Sequence, residues 1–556
     1  MKKPINDLIE SSSQEALLTA YQDIHKGFSW RAELSGLLDG NGKMNIAALA
    51  LKGLAQNIAP DGEAFITVDT SEGTIRSSAI RRAELEKSVR KLAGGFQAVL
   101  GIKKGDAVAI FLPNSLEMAQ SVLALAYIGA LAAPIIDIYR ADPVRNRLTN
   151  LKPKSLITSS EMMENLDESD FPFMKNIILT DGGGKGKSFQ SLMEHPEAAP
   201  EMVAPSHPFI IHYTSGTFGI PKGILHSHAS AAGYFRTAQW VFGLQPGKRL
   251  WCTAHPGWLP GSAYGIFGAL LSGASSILCA GKPEFGVITE LKPTAIYTIP
   301  STIARLASAG ENAGMPSVEV LATTGERLSP SVMAQVKERY GRQILDTWCM
   351  TETGMIMVSN FPFAPVKIGS VGLPVPGITA MVVNENNVPL PSNTLGILAF
   401  EKNWPSLMSG IWGDGKEVDE AFTSKNFITT DYAYMDEDGY LWVQGRGEEF
   451  IKRGSERISP YEIEDVLLGH PGVCEIAAIP VTRDGKEKIK LFVVLSSGFE
   501  EGEEIVESMK SHVRENMGAY AVPDEISFLE ELPKTRTGKV LRRSLKAKEM
   551  NLPEEQ

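Results

Sequence analysis

Apolar runs alternate with helix-like stretches in the first half of the chain. The run 106–112 (DAVAIFL) predicts a strand, 115–129 has the apolar spacing of a buried helix, and 132–138 predicts the next strand. Shorter apolar runs at 156–158 and 176–180 repeat the strand signal. Strands that alternate with helices predict a largely parallel sheet.

Both ends of the chain depart from this alternation. Residues 77–100 have the pattern of a helix, and polar helices and loops precede them. Short strands at 380–383 and 396–400, separated by Asn, Pro and Gly turns, predict a small antiparallel β subdomain. After Gly447 the chain becomes rich in Glu and Lys and has its own helix and strand pattern, which predicts a small α+β domain.

These elements predict an α/β fold class with two domains. Residues 1–447 form a large N-terminal domain of parallel-rich sheets with helices and the β subdomain, and residues 448–556 form the C-terminal domain. The uncharged stretches 118–137 and 256–281 are long enough to imitate membrane spans. Because Gly, Pro and Ser interrupt both, each predicts a buried helix, a turn and a buried strand.

Composition and charge narrow the class of protein. The 556 residues are 43% apolar and 21% charged, and 54 basic against 65 acidic residues give a net charge of −11. This balance argues against a nucleic-acid-binding surface. Scattered cysteines and an N-terminus without the apolar segment of a secretory signal predict a cytoplasmic protein with reduced thiols.

One segment concentrates groups that can bind phosphate. Residues 213–223 (YTSGTFGIPKG) combine hydroxyls, glycines and one lysine directly after an apolar run. Backbone N–H groups in a glycine-rich turn surround phosphate oxygens, and lysine adds a positive charge. The segment is not a P-loop, since Pro221 precedes Lys222 and a glycine follows it. A second glycine-rich stretch, 181–188 (DGGGKGKS), is predicted to be a flexible surface loop.

Further motifs follow this segment along the chain. They are 324–327 (TGER), 346–354 (DTWCMTETG), 430–446 (which begins with the pair TD and ends with the pair GR), 451–457 (IKRGSER) and 533–539 (PKTRTGK). Together they resemble the motifs of the adenylate-forming superfamily, which contains acyl-CoA synthetases, luciferases and peptide-synthetase adenylation domains. Within it, 251–254 (WCTA), 257–258 (GW) and 403–406 (NWPS) are most similar to bacterial AMP-forming acetyl-CoA synthetases.

The resemblance implies a ligase that works in two half-reactions. A small carboxylic acid attacks ATP to give an acyl-adenylate and pyrophosphate, and CoA then displaces AMP to give a thioester. ATP, CoA and Mg²⁺ are the implied substrates and cofactor. The implied catalytic residues are Lys539, Thr351, Glu352 and Lys222, and Glu352 is the implied Mg²⁺ ligand.

The resemblance also implies binding sites for the nucleotide and for CoA. The β- and γ-phosphates would meet Thr214, Ser215, Gly216, Thr217 and Lys222. The adenine would lie among Gly325, Glu326, Arg327, Asp346, Thr347 and Trp348. Asp431, Arg446 and Arg457 would bind the ribose and phosphate. A mobile C-terminal domain would rotate about Glu448 and bring Gly454 and Arg514 to CoA.

The implied acyl pocket differs from that of acetate enzymes. It would be lined by Trp258, Leu259, Pro260, Thr324 and Cys349. Acetyl-CoA synthetases have a second tryptophan where this chain has Cys349, and that indole closes the pocket just beyond a methyl group. We therefore expect a short or medium, branched or cyclic acid larger than acetate.

Three further expectations concern a second metal site, a pair of histidines and acetylation of the catalytic lysine. A second metal site of acetyl-CoA synthetases maps onto Leu468, His470 and Val473, where only His470 offers a side-chain ligand. The pair His226 and His228 has strand spacing without a third ligand and predicts satisfied core or surface histidines. The resemblance also implies a lysine acetyltransferase and deacetylase acting on Lys539 as partners, because acetylation would remove the charge of the catalytic lysine.

Several residues depart from the family pattern and leave alternatives open. They are Phe218, Arg327, Thr430 and Ser455, which stand where relatives commonly have Thr or Ser, Pro, Gly and Gly. One alternative is an acetate–CoA ligase proper, run in either direction. Others are an adenylation enzyme that loads a carrier protein and an inactive nucleotide binder.

Overall fold

The computed structural model describes most of the chain. It covers residues 14–70, 74–139, 141–164, 166–182, 186–215, 221–281, 283–309, 314–413, 425–447, 449–453, 456–483, 486–534 and 540–549. Among these residues, none of the helices has the length and apolarity that a membrane span requires.

Strands and helices alternate through the larger part of the molecule. The strands are β1 Glu63–Asp69, β2 Arg76–Arg81, β3 Ala107–Phe111, β4 Leu131–Ile135, β5 Ser155–Thr158, β6 Asn176–Leu179, β7 Lys187–Ser188, β8 Pro208–Ser215, β9 Pro221–Ser227, β10 Arg249–Cys252, β11 Ser275–Ala280, β12 Ala295–Thr298, β13 Val320–Thr323, β14 Ile344–Trp348, β15 Val358–Ser359, β16 Leu373–Pro374, β17 Ala380–Val383, β18 Gly396–Glu401, β19 Gly410–Ile411, β20 Asn426–Met435, β21 Leu441–Arg446, β22 Ile451–Arg453, β23 Glu456–Ile458, β24 Val473–Arg483, β25 Lys486–Leu495 and β26 Glu525–Phe528.

The helices precede, separate and follow these strands along the chain. They are Gln14–Gly27, Trp30–Ser35, Ile46–Lys52, Arg82–Leu100, Leu116–Tyr127, Ala141–Leu151, Ser160–Met163, Phe189–Leu192, Ser230–Phe242, Ala269–Leu271, Phe285–Leu291, Pro300–Ala309, Pro330–Tyr340, Pro460–Leu468, Glu503–Asn516 and Arg542–Glu549. Short 3₁₀ turns occur at Glu168–Asp170 and Ala519–Ala521, and Gly261–Gly268 is π-helical.

Two large sheets form the core of the N-terminal part. One has the order β16-β15-β14-β13-β12-β10-β11-β1-β2, and its strands from β14 to β1 run parallel. The other has the order β19-β9-β8-β4-β3-β5-β6-β7, and its strands from β8 to β7 run parallel. The helix Leu116–Tyr127 begins at Ser115, whose hydroxyl accepts a hydrogen bond from Met118 N at 3.3 Å. The predicted α/β class is therefore confirmed.

One of two local expectations needs correction. Residues 77–81 belong to strand β2, which pairs with β1 at the edge of the first sheet, so the helix begins only at Arg82. There the Glu84 carboxylate accepts a hydrogen bond from Arg81 N at 3.0 Å, which caps the helix. The buried helix, turn and buried strand predicted within 256–281 are confirmed: the helix is π-helical over Gly261–Gly268 and α-helical over Ala269–Leu271, and strand β11 follows the turn.

The later part of the chain forms smaller units. Strands β17, β18, β20 and β21 make an antiparallel sheet, as the short strands at 380–383 and 396–400 predicted. Strands β24, β25 and β26 form another sheet, with a buried core of its own that includes Ile463, Leu491 and Val513. The boundary between residues 447 and 448 stays a prediction, and Glu448 lies outside the described residues.

Candidate active site

Two of the sequence motifs meet at the carboxyl ends of strands in the first sheet. Strands β12, β13 and β14 are parallel and in register, with Thr298 opposite Thr323 and Thr323 opposite Asp346. The residues that follow these strands therefore lie side by side at the carboxyl ends, where α/β proteins commonly bind ligands. Gly325 follows there with a φ of 80°, a conformation that glycine adopts without strain.

The phosphate-binding candidates lie on the β8–β9 hairpin. In its ladder Thr214 pairs with Lys222 and Ser215 pairs with Pro221. The strand pairing thus brings the lysine directly opposite the first hydroxyl of the motif. Gly216, Thr217 and Phe218 lie outside the described residues, as does the side chain of Ser215.

Asp346 is a buried carboxylate at the candidate adenine site. Its Oδ1 accepts hydrogen bonds from Thr323 Oγ1 at 2.8 Å and from Thr347 N at 3.1 Å. Burial raises the pKa of Asp346 to about 7, and these hydrogen bonds and the positive charge of Arg327 only partly oppose the shift. The carboxyl group is therefore partly protonated at neutral pH.

Two other adenine candidates have hydrogen bonds within the protein. Thr347 Oγ1 donates to Thr323 O at 2.8 Å and lies 3.0 Å from the hydroxyl of Tyr297. The carboxylate of Glu326 accepts from Ser301 N at 3.0 Å and Ser301 Oγ at 3.1 Å. Ser301 lies in the first turn of the helix Pro300–Ala309, so the side chain of Glu326 satisfies one free amide group at the start of that helix.

Trp348 links the candidate adenine and ribose sites. Its indole Nε1 donates to Asp431 Oδ2 at 2.8 Å, and its ring stacks on Phe400 with 5.3 Å between centroids. Asp431 lies opposite Arg446 in the β20–β21 ladder, with 3.9 Å between Oδ1 and Arg446 Nε. The indole fixes one carboxylate oxygen of Asp431 and orients the other.

Thr351 and Glu352 lie on a tight turn after β14. Burial raises the pKa of Glu352; Arg446 and Lys222 oppose the shift, and Asp431 adds to it. The carboxylate thus shares its surroundings with the lysine of the hairpin and with the candidate ribose site. A carboxylate flanked by cations suits a site for Mg²⁺-bound phosphates, because Mg²⁺ takes oxygen ligands and bridges to phosphates.

The acyl-pocket candidates lie on both sides of the β12–β14 edge. Cys349 Sγ is 3.6 Å from Thr324 Oγ1. Burial raises the pKa of Cys349, and hydrogen bonds from Thr324 and Tyr297 oppose the shift, so the thiol stays protonated. Leu259 is buried, whereas Trp258 and Pro260 are half-buried before the π-helical segment.

The candidates beyond residue 447 are only partly described. Lys539 and Gly454 lie outside the described residues, as does the side chain of Arg457. Arg514 is exposed in the last turn of the helix Glu503–Asn516. The roles of these residues stay predictions.

The second metal site also stays a prediction. His470 Nδ1 accepts from Gly472 N at 3.1 Å, and Nε2 lies 2.9 Å from Ser508 Oγ, so both ring nitrogens have partners here. Leu468 and Val473 flank it. Within the described ranges, no three His, Cys, Asp or Glu side chains gather as a metal site.

The structure also places several residues outside the implied nucleotide and acyl sites close to them. His226 and His212 are buried core histidines with ring centroids 5.4 Å apart, and His212 Nε2 lies 2.7 Å from Ser262 Oγ. Trp404 donates its indole N–H to Thr353 O at 2.8 Å. Spacing along the chain gives no signal for Tyr297 or His212, whereas the NWPS motif does mark Trp404.

Comparison with known proteins identifies the family. The model of the AMP-binding enzyme family matches residues 60–412, and the model of its C-terminal domain matches residues 462–539. The chain belongs to the AMP-binding enzyme family. It is 34% identical to the acetyl-coenzyme A synthetase of Bacillus subtilis over 96% of both chains.

Solved structures of acyl-CoA ligases share the fold of this AMP-binding enzyme. The anthranilate CoA ligase AuaEII, in complex with anthranoyl-AMP, aligns with a TM-score of 0.80 and 25% identity over 91% of this chain and 98% of that one. The Brucella canis acyl-CoA synthetase aligns with a TM-score of 0.72 and 26% identity over 96% of this chain and 99% of that one. The resemblance recognised in the motifs is confirmed: the protein is an acyl-CoA ligase of the AMP-forming family, whose members use ATP and CoA.

Proposed function

We propose that this enzyme is an AMP-forming carboxylate–CoA ligase for a short or medium, branched or cyclic acid larger than acetate. The observation that carries the proposal is the position of the Cys349 thiol, 3.6 Å from Thr324 Oγ1 among the acyl-pocket candidates. A thiol in place of an indole leaves room for several more heavy atoms. Each methylene buried there contributes about 0.8 kcal/mol.

In the first half-reaction, a carboxylate oxygen of the acid bonds to the α-phosphorus of ATP. The bond from that phosphorus to the oxygen that bridges to the β-phosphorus breaks, and pyrophosphate leaves with the electron pair. In the second, the sulfur of CoA bonds to the acyl carbon, its proton is released, and the bond from that carbon to AMP breaks. Positioned charges and hydrogen-bond donors provide most of the catalysis in both steps, because they stabilise the charge that develops in the transition state.

The chain's own residues have distinct tasks in this proposal. Lys222 holds the phosphates, and Thr351 donates to an oxygen of the α-phosphate. Asp431, oriented by the Trp348 indole, accepts from the ribose hydroxyls. Lys539 bridges the acid and the α-phosphate. Glu352 would hold Mg²⁺, which neutralises phosphate charge when bound.

A panel of acids tests the proposal. CoA-dependent AMP formation is measured with acetate, butyrate, a branched acid, benzoate and a cyclohexane carboxylic acid. Because pockets typically discriminate one methylene by about 10–200-fold, we expect kcat/KM to be highest for one of the larger acids. A kcat/KM for acetate about tenfold above all others would contradict the proposal.

Acetate is the second candidate substrate. The 34% identity to the Bacillus subtilis acetyl-coenzyme A synthetase favours it. In that case other side chains, such as those of Leu259 and Pro260, would refill the space left by the missing indole. The same panel separates the two candidates, and acid-dependent pyrophosphate–ATP exchange without CoA-dependent AMP formation would instead favour an adenylation enzyme that loads a carrier protein.

A further inference from the structure

Residues 404–412 contact both of the segments that carry the candidate phosphate-binding groups. At one end Trp404 Nε1 donates to Thr353 O at 2.8 Å, and Met408 N donates to Glu352 O at 2.9 Å. At the other end Trp412 N donates to Gly223 O at 2.8 Å, next to Lys222. The segment 404–412 therefore bridges the turn of Glu352 and the strand of Lys222.

The pairing with strand β9 continues between these two ends. Ser409 N donates to Leu225 O at 2.8 Å, and Gly410 and Ile411 pair with Leu225 and Ile224 as strand β19. The register between the segment and the strand of Lys222 is therefore set by successive backbone hydrogen bonds. A shift of one end relative to the other would break these bonds.

The contact between the segment and the turn is tight. Gly354 has a φ of 72°, and a Cβ there would lie 1.8 Å from Ser406 O and 2.9 Å from His226 Nδ1. Ser406 Oγ also lies 3.4 Å from Thr353 O. Burial lowers the pKa of His226 to about 4, while the carbonyls of Ser406 and Thr351 oppose that shift, so a neutral ring fills the space between segment and turn.

Aromatic packing fixes the orientation of the Trp404 indole. Its ring makes edge contacts with Phe400 and with Phe427, each with 6.2 Å between centroids. Phe400 stacks in turn on Trp348, whose indole donates to Asp431. Trp404 is only 6% exposed, so its N–H has no access to water that would replace the carbonyl of Thr353.

We infer that Trp404 is a positioning residue for adenylation. Through Thr353 it holds the turn of Thr351 and Glu352 at a fixed distance from Lys222, so that the groups on both sides of the phosphates act together. This inference rests on the proposed function, because it assigns a task in the first half-reaction. Misplacement of such groups by about 1 Å costs roughly 10²-fold in rate.

Trp404→Phe tests the inference, because it keeps an aromatic ring and removes the N–H donor. We expect kcat for acid-dependent pyrophosphate–ATP exchange to fall about 10–100-fold, with KM for ATP changed less than about threefold. Thioester formation from supplied acyl-adenylate and CoA should stay within about threefold of wild type. Hydrogen exchange of the peptides 351–358 and 404–412 should become faster.

Tyr21→Phe is the matched control. It also removes one buried donor to a backbone carbonyl, since Tyr21 OH donates to Pro374 O at 2.8 Å. The control should keep wild-type exchange kinetics and wild-type hydrogen exchange at both peptides. If Trp404→Phe fails to fold, benzothienylalanine at position 404 keeps the shape of the indole without its N–H, and the same measurements apply.

The outcomes separate the inference from the proposed function. An exchange kcat of Trp404→Phe within about twofold of wild type, or an equal loss in both half-reactions, would overturn the inference. If wild type shows no exchange with any acid, the proposed function fails instead. Hydrogen exchange then decides the inference, which is overturned if the two peptides exchange alike in Trp404→Phe and Tyr21→Phe.

Discussion

Arg327 forms an ion pair with Asp465, with 2.7 Å between Arg327 Nη2 and Asp465 Oδ2. Arg327 lies in the turn after β13, beside the candidate adenine site, whereas Asp465 lies on the helix Pro460–Leu468. The guanidinium carbon is also 5.6 Å from the centroid of the Tyr461 ring. The pair therefore joins the candidate nucleotide site to the C-terminal region in the arrangement seen here.

This ion pair shows what Arg327, a departure from the family pattern, does in the structure. The family pattern that the motifs resemble implies Pro at the position of Arg327, and Pro cannot form an ion pair. Burial raises the pKa of Asp465 and of Glu462, and the charge of Arg327 opposes both shifts. If the C-terminal domain rotates between half-reactions, this ion pair has to break.

Asp465→Asn should therefore change the balance between the two half-reactions. The substitution keeps the shape of the side chain and removes its charge, and an ion pair of this kind contributes up to about 1 kcal/mol, or about fivefold in a population. We expect the ratio of the pyrophosphate–ATP exchange rate to the rate of thioester formation from acyl-adenylate to change about three- to fivefold. Both rates are measured on the same preparation.

The control for this prediction is another ion pair. Lys248 and Glu319 lie 2.6 Å apart at the starts of β10 and β13 in one sheet, so no domain rotation separates them. Glu319→Gln should leave the ratio unchanged. Equal ratios for the two variants would show that the Arg327–Asp465 pair does not bias the rotation.

Asp346 should make stability depend on pH. Its folded pKa is about 7 because of burial, whereas an unfolded Asp titrates near ~3.9. Between these values the folded chain retains a proton that the unfolded chain has released, so the free energy of unfolding falls as pH rises. Asp346→Asn, which keeps an oxygen for Thr323 and Thr347, should remove this part of the slope, at most about 1.4 kcal/mol per pH unit.

Thermal unfolding at about pH 5 and about pH 7 measures the effect. The midpoint of wild type should drop more between the two conditions than that of Asp346→Asn. The difference between the variants isolates this one group, because all other titrating residues are shared. A drop of the same size in both would mean that Asp346 is already ionised in the folded protein.

Local pattern predicted the buried elements well and the edges poorly. The run 106–112 and the stretch 115–129 became β3 and the helix Leu116–Tyr127, because burial on all sides imposes a continuous apolar pattern. The helix predicted at residues 77–81 was wrong, because these residues form β2, which is almost entirely exposed and is held by its backbone pairing with β1. An exposed edge strand that is held by backbone pairing leaves no hydrophobic alternation in its own sequence.

The candidate site was also predicted only in part: the motifs named its residues but not their partners within the protein. Motif resemblance named Asp346, Asp431 and Glu352, but not which carboxylates already have partners within the protein. The carboxylate of Glu326 receives hydrogen bonds from Ser301, 25 residues earlier, and Asp431 receives one from Trp348. These contacts depend on how strands are ordered in the sheets, which spacing along the chain does not encode.

Lys539 is expected to be needed for adenylation alone. Lys539→Ala removes the cation that would bridge the acid and the α-phosphate, so acyl-adenylate formation should fall about 10²–10³-fold. Thioester formation from supplied acyl-adenylate and CoA should continue. Lys539→Gln, which mimics acetylation by removing the charge, should behave in the same way.

Lys534→Ala is the matched control in the same motif. Lys534 forms an exposed ion pair with Glu475, with 2.6 Å between Nζ and Oε1. Because exposed ion pairs contribute little, both half-reactions should stay within about twofold of wild type. Normal adenylation by Lys539→Ala would show that another residue is the catalytic lysine.

Cys349→Trp should shift acid preference back toward acetate. An indole at this position would fill the space that the thiol leaves next to Thr324, where Sγ and Oγ1 are 3.6 Å apart. Larger acids should lose at least about tenfold in kcat/KM relative to acetate, since one methylene of misfit already costs about that much. Cys474→Trp, at an exposed cysteine, controls for the added indole and should leave the ranking of acids unchanged. If both variants rank the acids as wild type does, Cys349 does not line the acyl pocket, and the size of the acid is set by other residues such as Leu259.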